Sequence, residues 1–253
     1  MVDPGLTATP VPPTAGRAAA GRHARVGVSG SFRRIVAVTL LSVVALVACQ
    51  PDPTGGKRPP ARGATVPAFG GSIRAATLDD VQRSWHEGCP VDWHDLSVVR
   101  VSYWGYDGER HVGSLVVHDL AATEVRDVFD SLYRYRFQIQ RVHLVDYYGA
   151  SDDRSMAANN TSAFNCRRVA GSSSWSMHSY GTAIDVNPMQ NPSVIGTTYA
   201  PPGSERWKDR SDVVPGMAVE GDALVGAFDY VGWKWGGRWK TKKDYQHFSI
   251  NGQ

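Results

Sequence analysis

The chain has 253 residues, 42% hydrophobic and 20% charged, which fits one ordinary globular domain with appendages and excludes a disordered chain. Its formal net charge of +3 comes from the leader, where Arg17, Arg22, Arg25, Arg33 and Arg34 face a single acid, Asp3. The rest of the chain balances 22 bases against 23 acids and so gives no basic footprint for a nucleic acid.

Arg33-Arg34 precede an apolar run, Ile35 to Val47, that ends in Ala48-Cys49. A positive flank, a run too short for a comfortable membrane span and a small residue before the cut make a secretory signal. Leu46-Val47-Ala48-Cys49 also resembles the lipobox of bacterial lipoproteins, in which the cysteine is acylated and becomes the new N-terminus. The alternatives are an ordinary signal peptide with an incidental cysteine and an uncleaved anchor helix. All three place the chain beyond Cys49 outside the membrane. Residues 1–48 are therefore expected to be a signal peptide with lipobox. Residues 49–75, with Pro51, Pro53, Pro59, Pro60 and Pro67 among glycines, read as a flexible tether, and residues 76–253 as the folded domain.

Thr77 is placed to cap a helix running to Trp85, with Asp79 and Asp80 in its first turn. Leu96 to Trp104 and His111 to His118 alternate as strands, and Asp107-Gly108 between them predicts a hairpin turn. Thr123 to Tyr133 sets Val125, Val128, Phe129 and Leu132 at helical spacing, a core stripe. Arg141 to Tyr147 reads as another strand, and Glu220 to Val231 as a second helix with Leu224, Val225 and Phe228 inward. Helices and antiparallel strands without βαβ alternation predict an α+β fold.

Chemistry concentrates in two places. Ser176-Met177-His178-Ser179-Tyr180-Gly181-Thr182-Ala183-Ile184-Asp185 and Asp244-Tyr245-Gln246-His247 together supply two imidazoles and two carboxylates, the side chains of a three-ligand zinc site with a base beside it. Gly181, Ala183 and Ile184 read as a short strand with small residues for close approach. Gln246 to Ile250 alternates polar and apolar residues, which makes His247 a strand-borne ligand. Beyond Cys49, the pair Cys89 and Cys166 in an exported chain reads first as a disulfide closing a loop of 77 residues. His86, His94, His111, His118 and His143 lack suitable neighbours and read as structural or exposed.

The pattern Ser-x-His-x-x-Gly-x-Ala-x-Asp, with an acid-x-x-His near the C-terminus, resembles the zinc D-alanyl-D-alanine carboxypeptidases and L-alanyl-D-glutamate endopeptidases of bacterial cell walls, relatives of the vancomycin-resistance D,D-peptidases. The run Ser155 to Arg167, the stretch Asp185-Val186-Asn187-Pro188 with Asn191-Pro192, and Trp235-Gly236-Gly237-x-Trp239 resemble the endopeptidase-like branch, so the similarity spans about residues 77–253. It implies a small antiparallel sheet flanked by helices, the zinc D,D-peptidase (hedgehog-like) fold. It implies His178, Asp185 and His247 as ligands of one catalytic Zn2+, Asp244 as general base and Arg167 as the oxyanion-stabilising arginine, with Arg154 and Arg168 as competitors. Many relatives carry Glu where Asp244 stands. Ser176 falls where the family places a serine that contacts substrate or a ligand. Asn160, Ser162, Asn187 and Asn191 are candidates to bind a peptide backbone, and Trp233, Trp235 and Trp239 to wall the cleft or fill the core. The expected partners are peptidoglycan stem peptides and, through a lipid on Cys49, the outer face of the cytoplasmic membrane, with the chain monomeric. The competing reading is a non-catalytic zinc-containing lipoprotein that binds the cell wall.

Overall fold

The computed structural model describes residues 66–253. The expected signal peptide, Cys49 and most of the expected tether lie outside the described residues. In chain order the elements are β1 (Gly71–Ala75), α1 (Leu78–Val81), β2 (Leu96–Trp104), β3 (Arg110–His118), α2 (Asp119–Arg134), β4 (Arg141–Val142), α3 (Asp152–Ala157), β5 (Asn160–Thr161), β6 (Ala183–Asp185), β7 (Ser193–Ile195), β8 (Thr198–Ala200), α4 (Ala223–Tyr230), β9 (Lys234–Trp235), β10 (Lys243–Asp244) and β11 (His247–Ser249). This is the expected α+β mixture. Instead of one small sheet there are three of three strands, β1-β2-β3, β10-β7-β8 and β6-β11-β9, and a parallel pair β4-β5. Among the described residues no helix is long and apolar enough to cross a membrane.

The hairpin forms as expected, with Leu96 paired to His118 and Trp104 to Arg110. Strand β2 is buried on both faces except at Arg100. On one side Val99, Val101, Leu115 and Val117 meet Val125, Val128, Phe129 and Leu132 of α2. On the other, Val98 and Val116 meet Val81, Phe164 and Cys166, next to the Cys89–Cys166 disulfide.

The helices shift by a few residues, α2 opening at Asp119 and α4 at Ala223, and three further segments depart from expectation. The last residues of the expected tether, Gly71–Ala75, form an edge strand on β2 whose side chains are all exposed, so backbone pairing places it and no apolar pattern announces it. Helix α1 has the reciprocal Thr77–Asp80 cap but ends at Val81, because the Arg83 N–H donates to Asp146 Oδ1 at 2.7 Å and leaves the helical ladder. The strand expected over Arg141 to Tyr147 stops at Val142. Asn160 takes both backbone groups of His143, accepting from its N–H at 2.8 Å and donating to its carbonyl at 3.0 Å, and Val145–Tyr148 then coils as a 3-10 turn.

The C-terminal strand is seated through Phe248, fully buried, which stacks on Phe228 of α4 at 4.2 Å between ring centroids. Deleting that ring leaves a cavity beneath His247, so Phe248→Ala is expected to destabilise folding by about 3–5 kcal/mol in a denaturant titration.

Candidate metal centre

Antiparallel pairing of β6 with β11 sets Asp185 directly opposite His247, so both side chains rise from the same face. His178 arrives from the 3-10 turn Met177–Tyr180, whose N-cap Ser176 accepts from the His178 N–H through Oγ at 3.3 Å. The turn closes on Gly181 at φ +66°, where an added Cβ would lie 2.5 Å from the His118 nitrogen; only glycine fits at this point of the motif. There the His118 N–H also donates to the Gly181 carbonyl at 2.9 Å, tying the ligand turn to the end of the hairpin.

The Asp185 carboxylate lies between the two imidazoles, Oδ2 at 3.1 Å from His178 Nε2 and Oδ1 at 3.1 Å from His247 Nδ1. All three side chains are buried, and their ligand atoms fall within 4.8 Å of one another. The outward ring nitrogens face oxygens that can only accept, His178 Nδ1 the Ala163 carbonyl at 2.6 Å and His247 Nε2 the Gln253 backbone oxygen at 2.8 Å. Each outward nitrogen therefore carries its hydrogen, so an inward nitrogen meets the carboxylate either through a second, charging proton, as on the raised His247, or through a cation held in place of that proton. The residues fit zinc. Burial opposes the charged forms of Asp185 and His247. Even so, the imidazoles hold the Asp185 carboxyl well below its ordinary range, and hydrogen bonding to Asp185 holds His247 above its own.

Asp244 lies on β10. Burial pushes its carboxyl up to about 6, with the charge of His247 opposing and that of Asp185 adding. Its Oδ1 is buried without a hydrogen-bond partner, and Lys242 Nζ stands 4.0 Å from Oδ2. An added Cβ on Gly236 would fall 2.6 Å from the Asp244 carbonyl oxygen, which gives the Trp-Gly-Gly run its reason. Asp244, Arg167, Ser176, Trp239 and the three candidate ligands line one cleft of about 230 Å³. A larger groove of about 550 Å³ between α2 and α4 contains no imidazole.

Arg167 comes directly after Cys166 of the disulfide, and its backbone is locked to the ligand turn. Its N–H donates to Ser179 Oγ at 2.8 Å, and its carbonyl accepts from Ser179 Oγ at 2.6 Å and from the Ser176 N–H at 3.0 Å. The competitors lie elsewhere. Arg168 stacks over Trp175 at 3.4 Å, and neither it nor Arg154 lines the cleft.

Asn160 and Ser162 correct the expectation of substrate contacts, since neither lines the cleft. The Asn160 amide is fully buried, bonded to His143 and to Ser155 Oγ of α3. Ser162 exchanges backbone hydrogen bonds with Asp185 at 3.0 and 2.9 Å and so holds the ligand strand. Asn187 and Asn191 are also fully buried, both donating to the Gly216 carbonyl. Trp233 and Trp235 belong to the core, whereas Trp239 lies 5.4 Å from the His247 ring and walls the cleft. One residue escaped the sequence reading: Asp152, whose Oδ2 pairs with Arg167 Nη2 at 2.8 Å. Its only signal was Ser151 ahead of two acids, an ordinary helix start.

Residues 170–250 match the family model described as D-alanyl-D-alanine carboxypeptidase, a segment that contains His178, Asp185, Asp244 and His247 and stops short of Arg167. The match supports the family that the motifs resemble. No curated protein and no solved structure matches the chain.

Proposed function

We propose that this chain is a zinc peptidase that hydrolyses amide bonds in peptidoglycan stem peptides, of the D-Ala-D-Ala carboxypeptidase or L-Ala-D-Glu endopeptidase type, on a zinc D,D-peptidase (hedgehog-like) fold. The observation that carries it is the Asp185 carboxylate held between two inward imidazole nitrogens, with Asp244 lining the same cleft. His178 Nε2, Asp185 and His247 Nδ1 would hold the ion. When bound, zinc supplies Lewis acidity that lowers the pKa of a water toward about 7 and polarises a carbonyl. Asp244, its carboxyl raised to about 6 by burial, takes a proton from the attacking water and passes it to the leaving amine. Arg167 presents guanidinium N–H groups to the oxygen on which negative charge develops. Trp239 and Ser176 shape the wall against which the peptide lies.

The signal sequence and Cys49 support an exported, lipid-anchored protein working on the wall from the outer face of the cytoplasmic membrane. A structural zinc requires neither Asp244 nor Arg167, which disfavours the non-catalytic reading. Purified peptidoglycan of several wall chemistries, digested by the zinc-loaded protein with and without a chelator, is expected to yield new stem-peptide termini by mass only without chelator. The mass of the released fragment separates the two bond types. No new termini on any wall would sink the proposal.

A further inference from the structure

We propose that Asp152 is the positioning residue for Arg167, turning one edge of its guanidinium into a fixed anchor so that the remaining N–H groups serve a tetrahedral anion in the cleft; this rests on the peptidase function proposed for the same cleft. Arg167 enters that cleft from a segment anchored at its backbone by Ser176 and Ser179, but a long side chain hung from a fixed backbone still samples many rotamers. The Asp152 carboxylate holds its far end, Oδ2 to Nη2 at 2.8 Å, and both side chains are more than two-thirds shielded from solvent, at 27% and 29% exposure. That contact uses a single nitrogen. Arg167 Nε is buried and has no hydrogen-bond partner, an unfavourable state for a guanidinium unless an acceptor arrives during the working cycle.

The residues behind Asp152 are built to keep it still. It opens α3, whose N-cap Ser151 accepts from the Arg154 N–H at 3.3 Å. Ser155, one turn on and fully buried, accepts from Asn160 Nδ2 at 3.0 Å, and the same amide clamps His143. The run from Ser155 to Arg167 thus begins by bracing the helix that carries Asp152 and ends on the arginine that Asp152 grips. It acts on the cleft without its asparagine touching a substrate.

The test is a double-mutant cycle read by binding. The probe is a phosphinate analogue of D-Ala-D-Ala, a tetrahedral anion, titrated calorimetrically into zinc-loaded protein. Arg167→Ala is expected to weaken it by about 10²-fold, by the loss of an oxyanion donor. Asp152→Asn, which keeps the shape and removes the charge, is expected to weaken it by about 10-fold in the wild-type background and by less than about 2-fold once Arg167 is alanine, since the two act as one unit. Asp152→Glu, with the charge restored on a longer arm, recovers part of the loss. In stem-peptide turnover Asp152→Asn lowers kcat and leaves KM near the wild-type value, while the calorimetric stoichiometry stays at that of the wild type, which excludes loss of folded protein as the cause. An Asp152→Asn loss of undiminished size in the Arg167→Ala background would overturn positioning, as would wild-type binding by Asp152→Asn. If wild-type protein cleaves no stem peptide yet shows the coupling, the peptidase reading falls and the anion site stands; if it binds neither this phosphinate nor the phosphinate analogue of L-Ala-D-Glu, both fall.

Discussion

On the proposed mechanism, Asp244→Asn is expected to lower kcat on a stem peptide by about 10²–10⁴ while zinc content and thermal midpoint stay at wild-type values. The amide keeps the shape of the carboxyl, and Gly236 approaches only the backbone and Cβ of Asp244, so that close approach is undisturbed. What disappears is the ability to accept a proton. Burial has already raised this carboxyl to about 6, near the pH at which a base can both take a proton from water and return it to an amine. Asp244 lines the cleft together with the three candidate ligands, which puts it within reach of a water there. Steady-state kinetics beside metal analysis separates the outcomes. Full turnover by the Asn variant would remove Asp244 from the mechanism, whereas lost zinc would move it among the ligands.

His247→Ala removes more. It takes away one of three ligand atoms that lie within 4.8 Å of one another, and zinc affinity is expected to fall by well over the roughly 10–100-fold that loss of an outer-shell partner costs. Turnover goes with the metal. The same substitution also acts on the metal-free protein, because the buried Asp185 carboxylate keeps only His178 as a partner. Breaking a buried pair by removing one member costs about 3–5 kcal/mol, so denaturant titration in the presence of chelator should find the variant less stable by that order. Equal stability of the two metal-free proteins would show that the carboxylate draws no support from His247.

The long periodic elements were legible from sequence because each is decided by its own side chains. The hairpin over Leu96–Trp104 and Arg110–His118 and the apolar stripe of Asp119–Arg134 are of this kind. The two metal motifs were legible for a different reason: ligand chemistry restricts residue type so tightly that His178, Asp185 and His247 stand out, and the structure brings them together. What could not be read is carried by backbone groups or by partners distant in sequence. Gly71–Ala75 is a strand only because β2 has an open edge. Asn160 looked like a substrate contact because an exposed amide and a saturated one are the same letter; its partners His143 and Ser155 decide the matter. Asp152 was hidden for the same reason, as a helix-opening acid until Arg167 is seen against it.

The pairing of β6 with β11 joins only Asp185 with His247, Ile184 with Phe248 and Ala183 with Ser249. So short a ladder has little intrinsic memory of its alignment, and a slip of one residue would bring Gln246 or Phe248 to the place of the imidazole. Phe248 in the core resists the slip from below, and a metal held by His247 as proposed would resist it from above. On that proposal, metal stoichiometry would be a ruler for strand alignment. Any insertion or deletion between Asp244 and His247 can be graded by how much zinc the purified protein retains, before a substrate is added.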